Sequence, residues 1–210
     1  MANKKTDANA TATNAKSANA NAVKRMKLDL GIDGMISQLE KLEKEQDEVL
    51  SSSREIIRFC SKGIKALHAG EIEEGRKNVA EAEKRLAMFK GSSFVHILNQ
   101  SYQEVCEAKL LLAVIEGEKI PTHTELGLPF EMYLTGLCDL VGELRREMLE
   151  MLKSGKKKEA SYYFDMMNAI YEELVPLRFS NSLLPNFRKK QDVARMQVEQ
   201  ARSELVRSLS

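Results

Sequence analysis

Apolar residues recur at helical intervals along most of this 210-residue chain, from about residue 33 to its end. In the first such stretch, spacings of three, four and seven residues place them on one face of a helix. No alternation of apolar and polar residues is long enough to indicate a strand, and only 4 prolines and 11 glycines interrupt the pattern. The sequence therefore predicts an all-α fold. The residues of that first face are Ile36, Leu39, Leu42, Val49, Ile56, Ile57, Cys60, Ile64 and Leu67.

Clusters of glycine, proline and serine divide the helical region into about six segments. Breaks are expected near Gly70, Gly91 and Gly155, and in two loops at residues 118–129 and 179–185. Short connections favour antiparallel neighbours, so the pattern predicts an antiparallel helical bundle. The predicted helices span about residues 33–68, 71–89, 93–117, 130–153, 156–178 and 185–208.

Residues 1–28 have a different composition, dominated by Ala, Asn, Thr and Lys, with few large apolar side chains. Such a segment cannot bury enough surface to offset the entropy of ordering it. We therefore expect a disordered tail at residues 1–28 and one helical domain at residues 29–210. A transit peptide is a poorer explanation, because Arg25 is the only arginine in the segment.

Charge and cysteine content exclude some classes of protein. The net charge of +1 neither favours nor excludes a nucleic acid partner. The three cysteines lack CxxC spacing, which predicts free thiols in a reducing, cytoplasmic setting. The three histidines form no cluster, so a zinc site is not expected. No apolar run approaches the roughly 18 residues of a membrane span, and no secretory signal is visible.

Two pairs of carboxylates carry the strongest functional signal. Glu104 and Glu107 are three residues apart, and Asp139 and Glu143 are four apart, so each pair lies on one face of its predicted helix. The face of Glu104 and Glu107 continues as apolar residues, which indicates that it packs against other helices. Since a short connection would make the two helices antiparallel neighbours, both pairs could meet between them. Gly136 and Gly142 have no side chains and are expected to permit close approach of the helices.

A set of carboxylates without histidine suits Mg²⁺, or Mn²⁺ as an alternative. Such ions activate water and neutralise phosphoryl oxygens, which is what hydrolysis of a phosphodiester requires. Ferritin-like di-iron chemistry is a poor match because the Glu-x-x-His motif is absent. The competing interpretation is that these are ordinary solvated acids, because the chain has 31 acidic residues.

Basic residues step along one face of the first predicted helix. A positive stripe of this kind could follow a phosphate backbone, or it could be a solvated face with local ion pairs. A second basic cluster, residues 188–190, begins the last predicted helix and is expected to face solvent. The residues of the stripe are Arg54, Arg58, Lys62 and Lys65.

These stretches resemble the translin family, and within it the TRAX-like (translin-associated factor X) branch. Residues 103–108 are similar to the family's Gln-Glu-x-x-Glu-Ala helix. Residues 133–144 are similar to its Tyr-Leu-x-Gly and Asp-Leu-x-Gly-Glu-Leu run, and residues 53–56 to its early Ser-Arg-Asp-Ile segment. The resemblance covers roughly residues 33–208. The short connection between the third and fourth helices is similar to that of prokaryotic, in particular archaeal, members.

The resemblance implies a translin-like bundle of six to seven helices that assembles into closed homo-oligomers, often octamers, enclosing RNA. It implies Mg²⁺-dependent endoribonuclease activity on single-stranded RNA, with single-stranded DNA as an alternative ligand. The family's catalytic acids fall on Glu104, Glu107 and Asp139, with Glu143 beside them, and the region of Arg54 is implied to touch RNA. Members that mainly bind nucleic acid lack the full acidic set. A translin-like partner subunit is a further expectation of the family.

Two other functions remain open from the sequence. The chain could be an oligomer that binds single-stranded RNA or DNA without cutting it. It could also be an all-α nucleotide pyrophosphohydrolase, which uses Glu-x-x-Glu with a later acidic pair. That later pair typically runs Glu-x-x-Asp, whereas here Asp139 precedes Glu143 and the spacing is one residue longer. The third interpretation therefore ranks lowest.

Overall fold

The computed structural model of the protein describes residues 30–209, and within this range it contains seven α-helices and no strand. The all-α prediction is confirmed. The predicted tail at residues 1–28 lies outside the described residues. The helices are α1 (Ile32–His68), α2 (Ile72–Ala87), α3 (Asn99–Glu116), α4 (His123–Leu126), α5 (Phe130–Lys153), α6 (Lys157–Leu174) and α7 (Phe187–Leu209).

The predicted helix boundaries differ from the structure in two places. The third predicted helix is divided into a 3-10 turn, Val95–Leu98, and α3. The predicted fifth helix extended to residue 178, but α6 ends at Leu174. The reason is Pro176, because proline lacks the backbone N–H that would continue the helical hydrogen bonds.

The short helix α4 lies in a stretch predicted to be a loop. Thr122 accepts a hydrogen bond from the backbone N–H of Glu125, and the Glu125 side chain accepts one from the backbone N–H of Thr122. This reciprocal arrangement is a capping box, and it satisfies backbone donors that a helix start leaves free. Four residues are too few for periodicity to reveal the helix from sequence.

The chain divides into two compact units, with the boundary inside α1, after Glu43. In the first unit, residues 30–43 are described, and all of their side chains are exposed. Large apolar residues recur along this part of α1 at helical spacing. They are Leu30, Ile32, Met35, Ile36, Leu39 and Leu42.

The second unit, residues 44–209, contains the hydrophobic core. Helix α3 is its centre, because buried residues fall on several sides of this helix, and α2 and α5 pack against it. Helix α5 also packs against α6 and α7. The largest fully buried side chains include Ile56, Leu110, Leu111, Leu140, Leu144, Met148 and Met167. No helix of the described part is long and apolar enough to cross a membrane.

Two glycines of α5 behave differently from each other. A Cβ on Gly136 would lie 2.8 Å from Cys106 Sγ of α3, so the glycine permits the close contact of these helices, as predicted. A Cβ on Gly142 would meet nothing within 4 Å. The prediction that Gly142 also permits close helix packing is therefore wrong. Its missing side chain instead leaves open space.

Candidate active site

All four predicted acids line one cavity of about 630 Å³ in the second unit. Helix α3 contributes Glu104 and Glu107, and α5 contributes Asp139 and Glu143. Helix α1 adds Ser61, Ile64 and Lys65 to the wall, and α7 adds Lys190, Val193 and Gln197. The i,i+3 and i,i+4 spacings turn each acidic pair to one side of its helix. The contact at Gly136 then brings the two helices close enough for both pairs to share the cavity.

Glu107 is the most buried of the four acids, with 8% of its surface exposed. No hydrogen bond or ion pair joins its carboxylate to another residue of the described range. Burial, and then the charges of Asp139, Glu104 and Glu143, raise its pKa to about 8. An ionised carboxylate in this position is therefore costly unless a cation compensates it.

Glu104 lies one turn before Glu107, and it is half-buried. Its Oε1 accepts a hydrogen bond of 2.7 Å from Gln100 Nε2. Burial raises the pKa of Glu104, and the nearby charges of Asp139 and Glu143 add to that effect. Both carboxylates of α3 thus have a pKa above the usual value.

Asp139 is held by two side chains. Lys190 Nζ lies 2.7 Å from its Oδ1 and 2.6 Å from its Oδ2. Gln103 Nε2 donates a further hydrogen bond of 2.6 Å to Oδ2. The expectation that the cluster at residues 188–190 faces solvent is therefore wrong for Lys190, because the side chain turns to the nearest carboxylate.

Glu143 is held by a buried histidine of α1. His68 Nε2 lies 2.5 Å from Glu143 Oε2, and His68 Nδ1 lies 2.5 Å from Glu147 Oε1. The His68 side chain is only 4% exposed. Burial alone would lower its pKa, but the hydrogen bonds to Glu143 and Glu147 outweigh burial and raise it to about 9. His68 is therefore a cation at neutral pH that links α1 to α5.

The four acids fit a hard divalent cation by their chemistry. All are oxygen donors, and Glu107 is buried without a partner of its own. Their present arrangement does not form a ready metal site. Within residues 30–209, no group of three or more His, Cys, Asp or Glu side chains is placed to hold a metal ion. Three of the acids are instead directed to Gln100, Lys190 and His68. Metal binding therefore requires these side chains to turn.

The four basic residues predicted to bind RNA are all exposed, but they do not all have the same neighbours. Lys65 lies in the cavity wall. Arg58 and Lys62 lie over the ring of Phe59, at 6.0 and 5.8 Å from its centroid. Arg58 also lies 3.8 Å from Glu55. Arg54 is exposed on the same helix. Only Lys65 of this set is positioned by the structure at the acids.

Sequence reasoning assigned no contact to His68 or Glu147, and it expected Lys190 to face solvent rather than to contact Asp139. His68 was judged only as a possible metal ligand, and it is a hydrogen-bond partner of two acids instead. The spacing of Glu143 and Glu147, four residues apart on α5, could have indicated a shared partner. The prediction of free thiols is confirmed, because Cys60, Cys106 and Cys138 are unpaired and buried. Burial raises the pKa of the Cys138 thiol to about 12, so this cavity residue stays protonated.

Comparison with known proteins begins with sequence. Residues 34–203 match the Translin family. An uncharacterized protein of Methanocaldococcus jannaschii is 33% identical over 178 residues, which cover 82% of this chain and 80% of that protein. The region that matches the Translin family, residues 34–203, includes all four acids.

Solved structures share the fold. A crystal structure of AfC3PO has a TM-score of 0.78 at 30% identity, covering 85% of this chain and 97% of that one. A structure of an AfC3PO complex with duplex RNA has a TM-score of 0.77 at 29% identity, covering 85% and 96%. A crystal structure of apo-NeC3PO has a TM-score of 0.78 at 21% identity, covering 87% and 99%. The last likeness concerns the fold alone.

Proposed function

This chain belongs to the translin family, and we propose that it is a metal-dependent endoribonuclease that cleaves single-stranded RNA. The observation that carries the proposal is the shared cavity of Glu104, Glu107, Asp139 and Glu143. Glu107 in particular is buried, and burial keeps its pKa well above the usual range. A buried acid of this kind lowers the stability of the fold, and acids with shifted pKa values cluster at functional sites.

Glu104, Glu107 and Asp139 would hold Mg²⁺, or Mn²⁺, with Glu143 beside them. A bound divalent ion supplies an activated water and neutralises charge on the phosphoryl oxygens. The protein's part is to present four oxygen-donor side chains in the wall of one cavity. Glu143 is held through Oε2 by His68, so its orientation is fixed from the α1 side and it is suited to positioning the attacking water.

Cations at the cavity provide the contacts for a phosphate backbone. Lys65 and Arg146 lie in the wall, and the Arg146 side chain is 55% exposed. Arg54 and Arg58 extend the positive charge along the exposed face of α1. Lysine and arginine side chains bind phosphates without reading base sequence, so these contacts favour a broad choice of RNA.

The strandedness of the RNA is a separate part of the proposal. The relative AfC3PO is known in complex with duplex RNA, which supports an RNA ligand for this chain. We propose that cleavage requires a single strand, because an open strand can bend its backbone into the cavity. Duplex RNA would then bind to the protein but would be cleaved more slowly than single-stranded RNA.

We further propose that the protein acts as a closed homo-oligomer, with an octamer as the expected assembly. The row of exposed apolar side chains in residues 30–42 supports this, since such residues are commonly covered by another subunit. Native mass spectrometry of the purified protein tests the proposal. A monomer at micromolar concentration would contradict it, and stable assembly only with a second, translin-like protein would replace it with a mixed oligomer.

The direct test of the enzyme is a cleavage assay with end-labelled RNA of mixed sequence. We expect internal cleavage of single-stranded RNA with Mg²⁺ or Mn²⁺, slower cleavage of duplex RNA, and none with EDTA. Intact single-stranded RNA in the presence of both ions would contradict the proposal. Turnover of free nucleoside triphosphates in the same assay would instead support the pyrophosphohydrolase alternative.

The second candidate is an oligomer that binds RNA or single-stranded DNA without cutting it. The observation that favours it is the engagement of Asp139 and Glu143 by Lys190 and His68, which leaves no ready metal site in the described part. Such a protein would bind RNA in a salt-dependent way, and binding would survive replacement of all four acids. The enzyme proposal predicts that the same replacement abolishes cleavage.

A further inference from the structure

Lys190 is a cationic side chain that directly contacts one of the proposed metal ligands. Its ammonium lies within 2.7 Å of both carboxylate oxygens of Asp139. The side chains of Lys190 and Asp139 are 28% and 25% exposed, so the pair lies at the boundary between cavity and solvent. Gln103 donates to Oδ2 as well, which leaves little of Asp139 without a partner.

A divalent cation and an ammonium use the same part of a carboxylate. Each needs the oxygen lone pairs that point away from the side chain, and Asp139 has two such oxygens. Two cations at the same oxygens also repel one another strongly. Because Lys190 contacts both oxygens of Asp139, a metal ion that binds either oxygen at close range has to displace this ammonium.

The charge of Lys190 also reaches the acids of α3. Burial raises the pKa of Glu107 and of Glu104, and Lys190 opposes the rise at both. It does so incompletely, since the pKa of Glu107 still lies near 8. One ammonium is thus a partial substitute for the larger positive charge that a divalent ion brings.

We propose that Lys190 is an internal competitor for the divalent cation, whose ammonium must leave Asp139 before this carboxylate can bind metal. The inference rests on the proposed function and adds to it the residue that sets the ion concentration at which the site loads. Lysine suits this role because its charge sits on a flexible stem that can turn toward solvent. Its position in the first turn of α7 leaves α3 and α5 undisturbed when it moves.

Mn²⁺ binding to the RNA-free full-length protein, measured by titration calorimetry, tests the inference without any activity assay. The variants are Lys190→Met, and Lys190→Gln, which keeps a hydrogen-bond donor but removes the charge. Lys189→Met is the matched control, because it removes the same charge from the adjacent, exposed position. Circular dichroism at the titration temperature checks that each variant is folded.

We expect both Lys190 variants to bind Mn²⁺ at least about tenfold more tightly than the parent, and Lys189→Met to stay within about twofold of it. Unchanged or weaker binding by the Lys190 variants, with clear binding by the parent, would overturn the role of Lys190 alone. An equal gain in Lys189→Met would also overturn it, since net charge would then explain the result. Absence of Mn²⁺ binding by the parent and the variants alike would count against the proposed function itself.

Discussion

Helix α3 has two contrasting charged faces: one forms ion pairs with α2, and the other lines the acidic cavity. Toward α2 it forms a seam of matched charges, in which Lys109 Nζ lies 2.5 Å from Glu83 Oε1. In the same seam Arg76 Nη2 lies 2.7 Å from Glu116 Oε1, in an ion pair without hydrogen-bond geometry. Toward α5 and α7 lies the acidic cavity, in which Glu107 has no cationic partner within contact distance.

The two faces of α3 show two uses of charge. Ion pairs toward α2 hold the helices together, whereas the acids of the cavity are available to a ligand. In the seam, each acid has one cation beside it, and both kinds of charge are compensated within the protein. In the cavity, Lys190 contacts Asp139, His68 contacts Glu143 and Arg146 lies 3.8 Å from Glu143, so these cations engage two of the four acids. Burial raises the pKa of both Glu104 and Glu107 in this cavity. Unbalanced charge of this kind is the reason that we propose the cavity as the functional region.

Glu107 gives the largest expected difference between the cavity and the seam. We expect Glu107→Gln to lower the rate of RNA cleavage at least about 100-fold, because a neutral amide cannot compensate a divalent ion. Glu83→Gln, the same change in the seam, should leave the rate within about twofold of the parent. Single-turnover cleavage of labelled RNA measures both, and equal rates for the two variants would remove the distinction between the regions.

The second effect is a loss of stability of the metal-free protein as the pH rises. Glu107 has an ordinary pKa of 4.5 that folding raises to about 8, and His68 has an ordinary pKa of 6.5 that folding raises to about 9. A raised pKa in the folded state stabilises the protein below the ordinary value, and that stabilisation is lost as the pH rises through the folded value. Each group can remove up to about 1.4 kcal/mol per pH unit within its window.

Urea unfolding at a series of pH values measures this loss. We expect Glu107→Gln to flatten the dependence between pH 4.5 and 8, and His68→Gln to flatten it between pH 6.5 and 9. The two variants can differ from the parent in overall stability, so the slope is the quantity to compare. Slopes identical to that of the parent would show that neither group is perturbed by the cavity.

A smaller effect is expected where α5 meets α3. Gly136→Ala places a Cβ 2.8 Å from Cys106 Sγ, and we expect it to lower the free energy of unfolding by about 1–2 kcal/mol. Gly142→Ala meets open space, so the gain in helix propensity should stabilise the protein by about 0.5–1 kcal/mol. Thermal or urea unfolding measures both, and a destabilised Gly142→Ala would mean that its neighbourhood is packed.

The smallest effect belongs to the seam. Lys109→Met should lower the free energy of unfolding by less than about 1 kcal/mol, because Glu83 is 46% exposed and solvent screens the pair. A double-mutant cycle with Glu83→Gln isolates the pairwise energy. A coupling energy well above that range would show that the seam contributes more to stability than its exposure indicates.

Much of the fold could be predicted from sequence because long helices leave a periodic signal. The bounds of α1 and α5 were predicted to within one residue, and the serines at residues 51–53 did not interrupt α1. Ser53 is buried and its hydroxyl lies 2.9 Å from that of Ser101, which only the packed structure reveals. The end of α6 was misplaced because apolar spacing was followed past Pro176.

The candidate site could be predicted only in part. Spacing within one helix identified both acidic pairs, since such a signal is local. The contacts of Lys190 with Asp139 and of His68 with Glu143 join residues 51 and 75 positions apart, so no local pattern contains them. The same limit explains Gly142, whose surroundings depend on which side of α5 meets α3. Metal binding by the four acids remains a prediction.

Anomalous scattering from a crystal soaked in Mn²⁺ tests the central claim most directly, since it locates the ion without any assay of activity. We expect a peak within the cavity, in contact with Glu104, Glu107 and Asp139, and with Lys190 Nζ moved away from Asp139. No peak should be seen in a crystal of Glu107→Gln treated in the same way. A parent crystal that shows Mn²⁺ elsewhere but none at these acids would contradict the account.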